Sequence, residues 1–184
     1  ELKQALLKHP SHEIIFIDDG STDKTAKLVK DIQKNDSAVS LITFHSNCGK
    51  SAALNVGFKQ ADGDVVITMD ADLQDDPKEF DNLLLKLDEG WDLVSGWKKR
   101  RNDPLDKTIP SRVFNYILRK TSKLDIHDFN CGLKAYRFKV IKTLNIYGGL
   151  HRFIPYLAVS NGFTVTEIPV NHRAREFGKT KYGG

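Results

Sequence analysis

Two aspartates with one small residue between them are the residues of this sequence best suited to chemistry. Asp70, Ala71 and Asp72 directly follow the apolar run DVVITM at residues 64–69, which is typical of a buried strand. Hard divalent cations prefer oxygen ligands, and Mg²⁺ commonly takes one or two carboxylates together with substrate phosphates. Gln74 offers an amide oxygen nearby, and Ala71 leaves room for a ligand. The spacing predicts a divalent-cation site at Asp70, Asp72 and Gln74, in which one carboxylate binds the metal and the other reaches a second ligand position or the substrate.

Other interpretations of these acids fit the sequence less well. A solvated acidic loop could lead into a helix at Pro77, but it would require neither a strand end nor Gln74. Haloacid-dehalogenase phosphatases carry Thr or Val where this chain has Gln74, and response-regulator receivers need a late Lys-Pro pair that this sequence does not contain. The G-x-G-x-x-G turn of dinucleotide-binding folds and the Walker phosphate loop are also absent from the sequence.

Alternating strands and helices must position the acidic bend. Apolar runs predict strands at residues 12–17, 39–44, 64–69 and 93–96, and helical spacing predicts helices at 2–9, 25–34, 51–61 and 79–89. This order favours an α/β fold with a mostly parallel sheet and helices on both faces. Ligands bind beyond the C-terminal strand ends of such sheets. Asp18 and Asp19, which follow the first strand, should therefore lie near Asp70 and Asp72.

The second half of the chain continues the same domain in a more elaborate form. It contains a basic, turn-rich stretch at 98–110, and the pattern then predicts helices at 111–123, 140–144 and 152–160, a turn into a strand at 128–137 and a strand at 163–170. No internal repeat or linker is visible, so residues 1–184 are interpreted as one domain.

Charge is divided unevenly along the chain. The net charge is +4, but residues 1–97 carry 10 Lys and Arg against 18 Asp and Glu (net −8), and residues 98–184 carry 18 against 6 (net +12). Such segregation suits a site where a metal and a polyanionic ligand meet. No run approaches the roughly 18 apolar residues of a membrane span. Two cysteines exclude a disulfide framework, and residues 98–112 lack the interleaved aromatics typical of nucleic-acid binding.

Four motifs together resemble family 2 glycosyltransferases of the GT-A fold. They are FIDDGSTD at 16–23, NCGK at 47–50 followed by Ala53, Asn55 and Gly57, DADLQD at 70–75, and DFNCGLKAYR at 128–137. The closing stretch REFGKTK at 175–181 is similar to the subgroup that glycosylates polyprenyl phosphates, which includes dolichol-phosphate mannosyltransferase and its bacterial relatives. The resemblance implies a GT-A, Rossmann-like sheet, with residues 1–97 as the nucleotide-sugar and metal half and residues 98–184 as the acceptor half.

The resemblance also implies roles for matching residues on the donor side. Ile17 and Asp19 would hold the base and ribose of a nucleotide sugar. Asp70 and Asp72 would hold Mg²⁺ or Mn²⁺ on its diphosphate, with Gln74 assisting.

Three basic residues complete this expected donor site. Arg175 and Lys181 would close over the diphosphate, and Lys98 stands where the subgroup commonly has Arg. The full set of implied nucleotide-sugar contacts is Ile17, Asp19, Asp70, Ala71, Asp72, Gln74, Lys98, Arg175 and Lys181.

The implied reaction is an inverting single displacement, with Asp72 among the catalytic residues. It moves a hexose from a UDP-glucose or GDP-mannose type donor to a polyprenyl or dolichyl phosphate. Because the second phosphate pKa is about 6, the acceptor oxygen is anionic near neutral pH and chiefly needs positioning. Arg112, helped by Arg100 or Arg101, is suited to grip that phosphate. A sugar hydroxyl would need a base, for which Asp128 is the candidate, although a turn-forming aspartate is an equal interpretation.

Two other functions remain open at this point. The same chemistry could act on a saccharide hydroxyl in cell-envelope polysaccharide assembly, although the Gln-x-x-Arg-Trp motif of processive synthases is absent. A non-enzymatic domain that docks on anionic membrane would explain the basic half but leave Asp70, Asp72 and Gln74 without a role. The resemblance further implies a location at the cytoplasmic face of the membrane. It also implies that the first strand of the family is missing before Glu1, and that any membrane-spanning segments of the subgroup would lie beyond Gly184.

Overall fold

The structure is a computed structural model that describes residues 1–99, 119 and 124–174. The strands are β1 (Ile14–Asp18), β2 (Val39–Thr43), β3 (Val65–Thr68), β4 (Leu93–Trp97), β5 (Lys134–Arg137) and β6 (Val165–Pro169). The helices are α1 (Leu2–Ala5), α2 (Thr25–Asn35), α3 (Lys50–Gln60), α4 (Phe80–Asp88), α5 (Phe138–Thr143) and α6 (Ile154–Ser160), with 3-10 turns at Leu6–Lys8, Pro77–Glu79 and Leu150–Phe153. These elements match the predicted ones within a few residues, and the helix predicted at 111–123 lies almost wholly outside the described residues.

The described strands form two sheets rather than one. Strands β1 and β2 pair in parallel, from Ile14 opposite Val39 to Asp18 opposite Thr43. The other four strands form a sheet of order β3-β5-β4-β6. Strands β4 and β6 are parallel, whereas β5 runs antiparallel between β3 and β4. The predicted α/β class is confirmed, and β3, β4 and β6 share one direction. Their C-terminal ends therefore lie at the edge where β5 begins.

Helix α3 joins the two sheets and fixes the position of its own first residue, Lys50. A Cβ added to Gly57 would lie 3.6 Å from the Ile17 side chain of β1, so the helix lies close against that strand. One residue further along, the Phe58 ring meets the Tyr136 ring of β5 edge-on, with centroids 5.3 Å apart. Such a pair contributes about 0.5–1.5 kcal/mol beyond its buried area.

Apolar side chains pack on both faces of the four-stranded sheet. One cluster lies under α3, α5 and α6 and includes Phe58, Leu93, Tyr136, Val140 and Ile154. The other lies under α4 and includes Phe80, Leu83, Leu87, Val94 and Leu133. With both faces covered, the strands are held rigidly and can present side chains at their ends.

Helix α2 buries less of its apolar face than its sequence pattern indicates. Leu28, Val29 and Ile32 lie on one helical face by their spacing, but only Val29 is buried, and Leu28 is 61% exposed. At the start of the helix, the Thr25 N–H donates to Asp23 Oδ1 at 2.8 Å. The backbone N–H of Ser21 donates to Asp18, which keeps Ser21 in the turn after β1.

Among the described helices, none is long and apolar enough to cross a membrane.

Candidate functional site

Asp70 lies just beyond the C-terminal end of β3, and the ammonium of Lys50 contacts its carboxylate. The Lys50 Nζ lies 2.6 Å from Asp70 Oδ1 and 2.8 Å from Oδ2. Burial opposes ionisation of Asp70, but Lys50, with Lys98 and Lys134 nearby, outweighs it and lowers the pKa of the carboxyl. Asp70 is therefore held as a carboxylate at neutral pH, the form that a divalent cation requires.

Gly132 makes room for this carboxylate. A Cβ added to Gly132 would lie only 2.5 Å from Asp70 Oδ2 and 2.7 Å from its Cγ. The glycine belongs to the turn that leads into β5, so the DFNCG segment and the acidic bend approach one another closely here. Any side chain at position 132 would displace the Asp70 carboxylate.

A buried ion pair supports the bend from below. Asp75 is 1% exposed, and its Oδ2 accepts the backbone N–H of Asp70 at 3.1 Å. Its Oδ1 lies 3.4 Å from Lys98 Nζ. Burial opposes the charge on Lys98, but Asp75, Asp70 and Asp128 raise its pKa overall. Lys98 is therefore a cation bonded to Asp75 beside the acidic site, and its contact with a nucleotide sugar stays a prediction.

The bend itself is tight and strained. Leu73 adopts φ +65°, a left-handed conformation unusual for a branched residue, which costs about 1–3 kcal/mol. Asp72 Oδ1 accepts the backbone N–H of Gln74 at 3.2 Å, which closes the turn around Leu73. The half-buried Asp72 therefore has its orientation set by the backbone of its own loop.

The segment after β6 is attached to this bend. Asp75 and His172 form an isolated antiparallel bridge, and the Arg173 N–H donates to the Gln74 carbonyl at 2.9 Å. The Gln74 side-chain amide donates to the Arg173 carbonyl at 3.3 Å, and its Nε2 lies equally far from His172 Nε2. Arg173 also pairs with Asp76 at 2.7 Å. The last described residues before Arg175 therefore lie beside Gln74.

Asp19 holds the start of α3 in place. Its carboxylate accepts the backbone N–H of Cys48 at 2.6 Å and of Gly49 at 3.0 Å. Gly49, at φ +89°, and Gly20, at φ +74°, occupy left-handed conformations that allow the two loops to meet. One loop therefore contacts both acidic motifs, since its backbone amides bond to Asp19 and its Lys50 side chain bonds to Asp70. The Asp19 carboxylate accepts hydrogen bonds from backbone amides in this structure. Its contact with a base or ribose stays a prediction.

A buried lysine lies behind the acidic site. Lys134 is 3% exposed and donates to the Cys131 carbonyl. Burial lowers the pKa of Lys134. Burial also raises the pKa of the Cys131 thiol to about 11, so this cysteine is a packing residue and not a nucleophile.

Asp128 is 1% exposed and sits in the turn before β5. Its Oδ1 accepts the backbone N–H of Asn130 at 3.2 Å, and its own N–H donates to Glu167 at 3.3 Å. The turn-forming interpretation of Asp128 is therefore present in the structure. Its action as a base stays a prediction.

Sequence reasoning missed a histidine beside Lys50. The backbone N–H of His151 donates to Ser51 Oγ at 3.0 Å, and the Ser51 hydroxyl lies 2.9 Å from His151 Nδ1, where it can donate. Burial, together with Lys50, lowers the pKa of His151 to about 4. The ring is therefore neutral near pH 7. The only local hint in the sequence was the hydroxyl of Ser51 directly after Lys50. Ser51 and His151 are 100 residues apart, so no sequence pattern shows that they are partners.

The residues that are present suit a divalent cation shared with a ligand. In residues 1–99 and 124–174, no three His, Cys, Asp or Glu side chains are grouped to hold a metal alone. Asp70 and Asp72 supply two carboxylates, and the close approach of Gly132 keeps space at Asp70. Mg²⁺-type ions commonly take one or two carboxylates and complete their shell with phosphate oxygens and water. Arg100, Arg101, Arg112, Arg175 and Lys181 lie outside the described residues.

The chain matches known proteins over most of its length. It is 42% identical over 171 residues to the undecaprenyl-phosphate 4-deoxy-4-formamido-L-arabinose transferase of Salmonella paratyphi B, and equally to that of Salmonella newport. The match covers 92% of this chain and 52% of the relative. The chain therefore spans about half the length of the curated relatives it matches.

Solved structures share the fold at low identity. Glucosyl-3-phosphoglycerate synthase from Mycobacterium tuberculosis, in complex with Mn²⁺ and UDP-glucose, superposes with a TM-score of 0.65 at 22% identity, over 94% of this chain and 64% of that one. A mannosyltransferase from Pyrobaculum calidifontis, in complex with GDP-mannose and Mn²⁺, gives a TM-score of 0.61 at 22% identity, over 85% and 45%. The predicted GT-A fold is confirmed.

The family assignment rests on the model of the family described as glycosyl transferase family 2, which matches residues 2–144. That span contains the four motifs on which the resemblance was based, from the second half of β1 to the end of β5. The chain therefore belongs to glycosyl transferase family 2.

Proposed function

We propose that this chain binds a nucleotide sugar and a divalent cation and transfers the sugar to the phosphate of a polyprenyl phosphate. The observation that carries the proposal is the ionised Asp70 at the C-terminal edge of β3, with space kept by Gly132 and a segment attached beside Gln74. The identity to undecaprenyl-phosphate transferases supports the acceptor. The Mn²⁺ complexes of the structural neighbours support the cation, with Mg²⁺ as the alternative.

The proposed reaction requires positive charge near the departing nucleoside diphosphate. When bound, a divalent cation supplies positive charge that offsets the charge growing on the departing nucleoside diphosphate. Asp70 and Asp72 would hold the cation, and the loop bond from Gln74 keeps Asp72 in place. Lys98 keeps Asp75, and through it the Asp70 backbone, from moving. Arg175 and Lys181 would add charge over the diphosphate, and Arg112 would orient the acceptor phosphate. A phosphate acceptor needs no strong base, because its oxygen is already anionic.

Calorimetry of UDP and GDP with Mn²⁺ tests the donor half of this proposal on the intact protein. Asp72→Asn keeps an oxygen for the Gln74 N–H but removes the charge, so nucleotide affinity should fall at least about tenfold, or about 1.4 kcal/mol. Asp64→Asn is the matched control, since Asp64 is exposed at the opposite end of β3. Equal affinity for wild type and Asp72→Asn would refute the assignment. The nucleotide that binds more tightly also decides between the UDP and GDP donor types.

The acceptor is tested by offering a polyprenyl phosphate and a free saccharide in parallel. Transfer to the lipid phosphate supports the proposal and implies work at a membrane surface, which we place on the cytoplasmic side. Transfer only to the saccharide would favour the hydroxyl acceptor and assign Asp128 as its base. Absence of both nucleotide binding and transfer would favour a non-enzymatic docking domain.

A further inference from the structure

Glu167 fixes the orientation of a histidine that the donor site does not use. Glu167 lies on β6, with its side chain 8% exposed. Its Oε2 accepts the backbone N–H of His127 at 2.8 Å and of Asp128 at 3.3 Å, and its Oε1 pairs with the His127 ring Nδ1. A carboxylate bonded to Nδ1 in this way directs the other ring nitrogen, Nε2, away from itself. The His127 side chain is 38% exposed, so Nε2 belongs to a ring that solvent can reach.

Trp97 holds the same ring from a second side. The indole and the imidazole are stacked, with centroids 4.2 Å apart and planes within 15°. The exposed Lys99 extends from the same strand end, with Nζ 5.5 Å from the centre of the Trp97 ring. Two groups that can carry positive charge, His127 and Lys99, therefore flank one aromatic side chain. Such a surface suits an anion with an apolar extension, because the anion meets the charges and the extension meets the ring.

This surface is continuous with the donor site. Trp97 ends β4 at the edge where β3 ends before Asp70. Asp128, next to His127, lies close enough to Lys98 to raise its pKa, and Lys98 pairs with Asp75 beneath the Asp70 backbone. A ligand at His127 would thus lie along the same strand-end edge as a sugar diphosphate at Asp70.

We propose that His127 binds the phosphate of the acceptor, with Nδ1–H donating to Glu167, Nε2–H donating to a phosphate oxygen, and Lys99 adding charge beside it. The inference rests on the proposed function and extends it to an acceptor contact within the described residues. Glu167 is the positioning residue, and Trp97 offers its indole to the first isoprene unit. The role is binding and alignment, and no proton moves, because a phosphate monoester is already anionic near neutral pH.

Nitrogen NMR of the His127 ring in the intact wild-type protein tests the inference without relying on a variant that folds. Geranyl phosphate, inorganic phosphate and geraniol are titrated separately. Geranyl phosphate should shift the Nε2 resonance, inorganic phosphate should shift it by a smaller amount, and geraniol should not shift it. A response to geraniol alone, or none to either phosphate, would overturn the inference. Donor binding is measured in the same samples with Mn²⁺ and nucleoside diphosphate, so failure of the proposed function is seen separately.

Variants then separate binding from mere packing. His127→Phe keeps an aromatic ring on Trp97 and should raise the acceptor KM at least about tenfold, with the donor KM unchanged. Glu167→Gln keeps one oxygen for the two backbone amides but removes the carboxylate charge beside Nδ1, so it should raise the acceptor KM less than His127→Phe while shifting the Nδ1 resonance. His9→Gln is the matched control, because His9 pairs with Asp81 at a similar exposure outside the site. Wild-type acceptor KM in His127→Phe, or an equal rise in donor KM, would contradict the inference.

Discussion

Lys50 and Asp70 form a close ion pair, with the ammonium 2.6 and 2.8 Å from the two carboxylate oxygens. Both side chains are about a third exposed, so the pair lies at the surface of the site and not in the core. An ammonium and a divalent cation compete for the same oxygens. Lys50 therefore holds Asp70 ionised and in place, and under the proposed function a bound diphosphate would offer Lys50 another anionic partner.

Removing the Lys50 ammonium should change cation binding in opposite directions at neutral and acidic pH. In Lys50→Met the competing charge is gone, so Mn²⁺ alone should bind several-fold more tightly at about pH 7. The Asp70 pKa should rise, because Lys50 is the main group that lowers it. Protons should then displace Mn²⁺ from the variant at higher pH than from wild type. Electron paramagnetic resonance of free Mn²⁺ between about pH 4 and about pH 7 measures both effects.

Lys59 supplies the control for this experiment. It lies on the same helix, near the other end, and its side chain is exposed. Lys59→Met should follow the wild-type curve. Identical pH midpoints for wild type and Lys50→Met would show that Lys50 does not set the ionisation of Asp70.

Gly132→Ala should weaken metal and nucleotide binding without unfolding the protein. The new methyl group would lie 2.5 Å from Asp70 Oδ2, so the carboxylate must move. Overpacking of this kind costs about 1–3 kcal/mol of stability, and we expect nucleotide affinity with Mn²⁺ to fall at least about tenfold. Gly149→Ala is the control, since a Cβ there meets nothing within 4 Å. Calorimetry and thermal unfolding of both variants decide the matter, and unchanged affinity in Gly132→Ala would contradict the geometry.

Local sequence patterns predicted most of the elements because each strand and helix carries its own apolar period. The antiparallel direction of β5 was not predictable from sequence. The DFNCG turn indicates where the strand begins, but it does not indicate that the strand lies between β3 and β4. The exposure of Leu28 shows the same limit, because a helical stripe does not reveal how much of it a neighbour covers.

The candidate site could be proposed from sequence where its residues are contiguous. The spacing of Asp70, Asp72 and Gln74 singled them out, and the structure places them in one strained turn. Their binding of a metal stays a prediction. Contacts that join distant segments were missed, because no local pattern connects Gly132 to Asp70, or Ser51 to His151. The bond of Asp75 to Lys98 was missed for the same reason, because the two residues lie in separate segments of the sequence.

The two cysteines should differ sharply in reactivity. Cys48 is exposed in the loop before α3, whereas Cys131 is 2% exposed, and burial raises its pKa to about 11. A thiol reagent at about pH 8 should label one cysteine in the native protein and two after denaturation. Cys48→Ser should abolish native labelling, with mass spectrometry as the readout. Native labelling at Cys131 would mean that the turn before β5 opens readily.

His151 should make the protein less stable as the pH falls below neutrality. Its pKa is lowered to about 4 in the folded chain by burial and by Lys50, against 6.5 for an ordinary histidine. Between these values the unfolded chain binds the proton and the folded chain does not, so stability is full above about pH 6.5 and declines towards about pH 4. In His151→Gln this component should disappear, and the stability difference between about pH 7 and about pH 5 should shrink. Urea unfolding at the two pH values measures it. An unchanged difference would show that the His151 ring is solvated in the folded protein and that Ser51 does not hold it neutral beside Lys50.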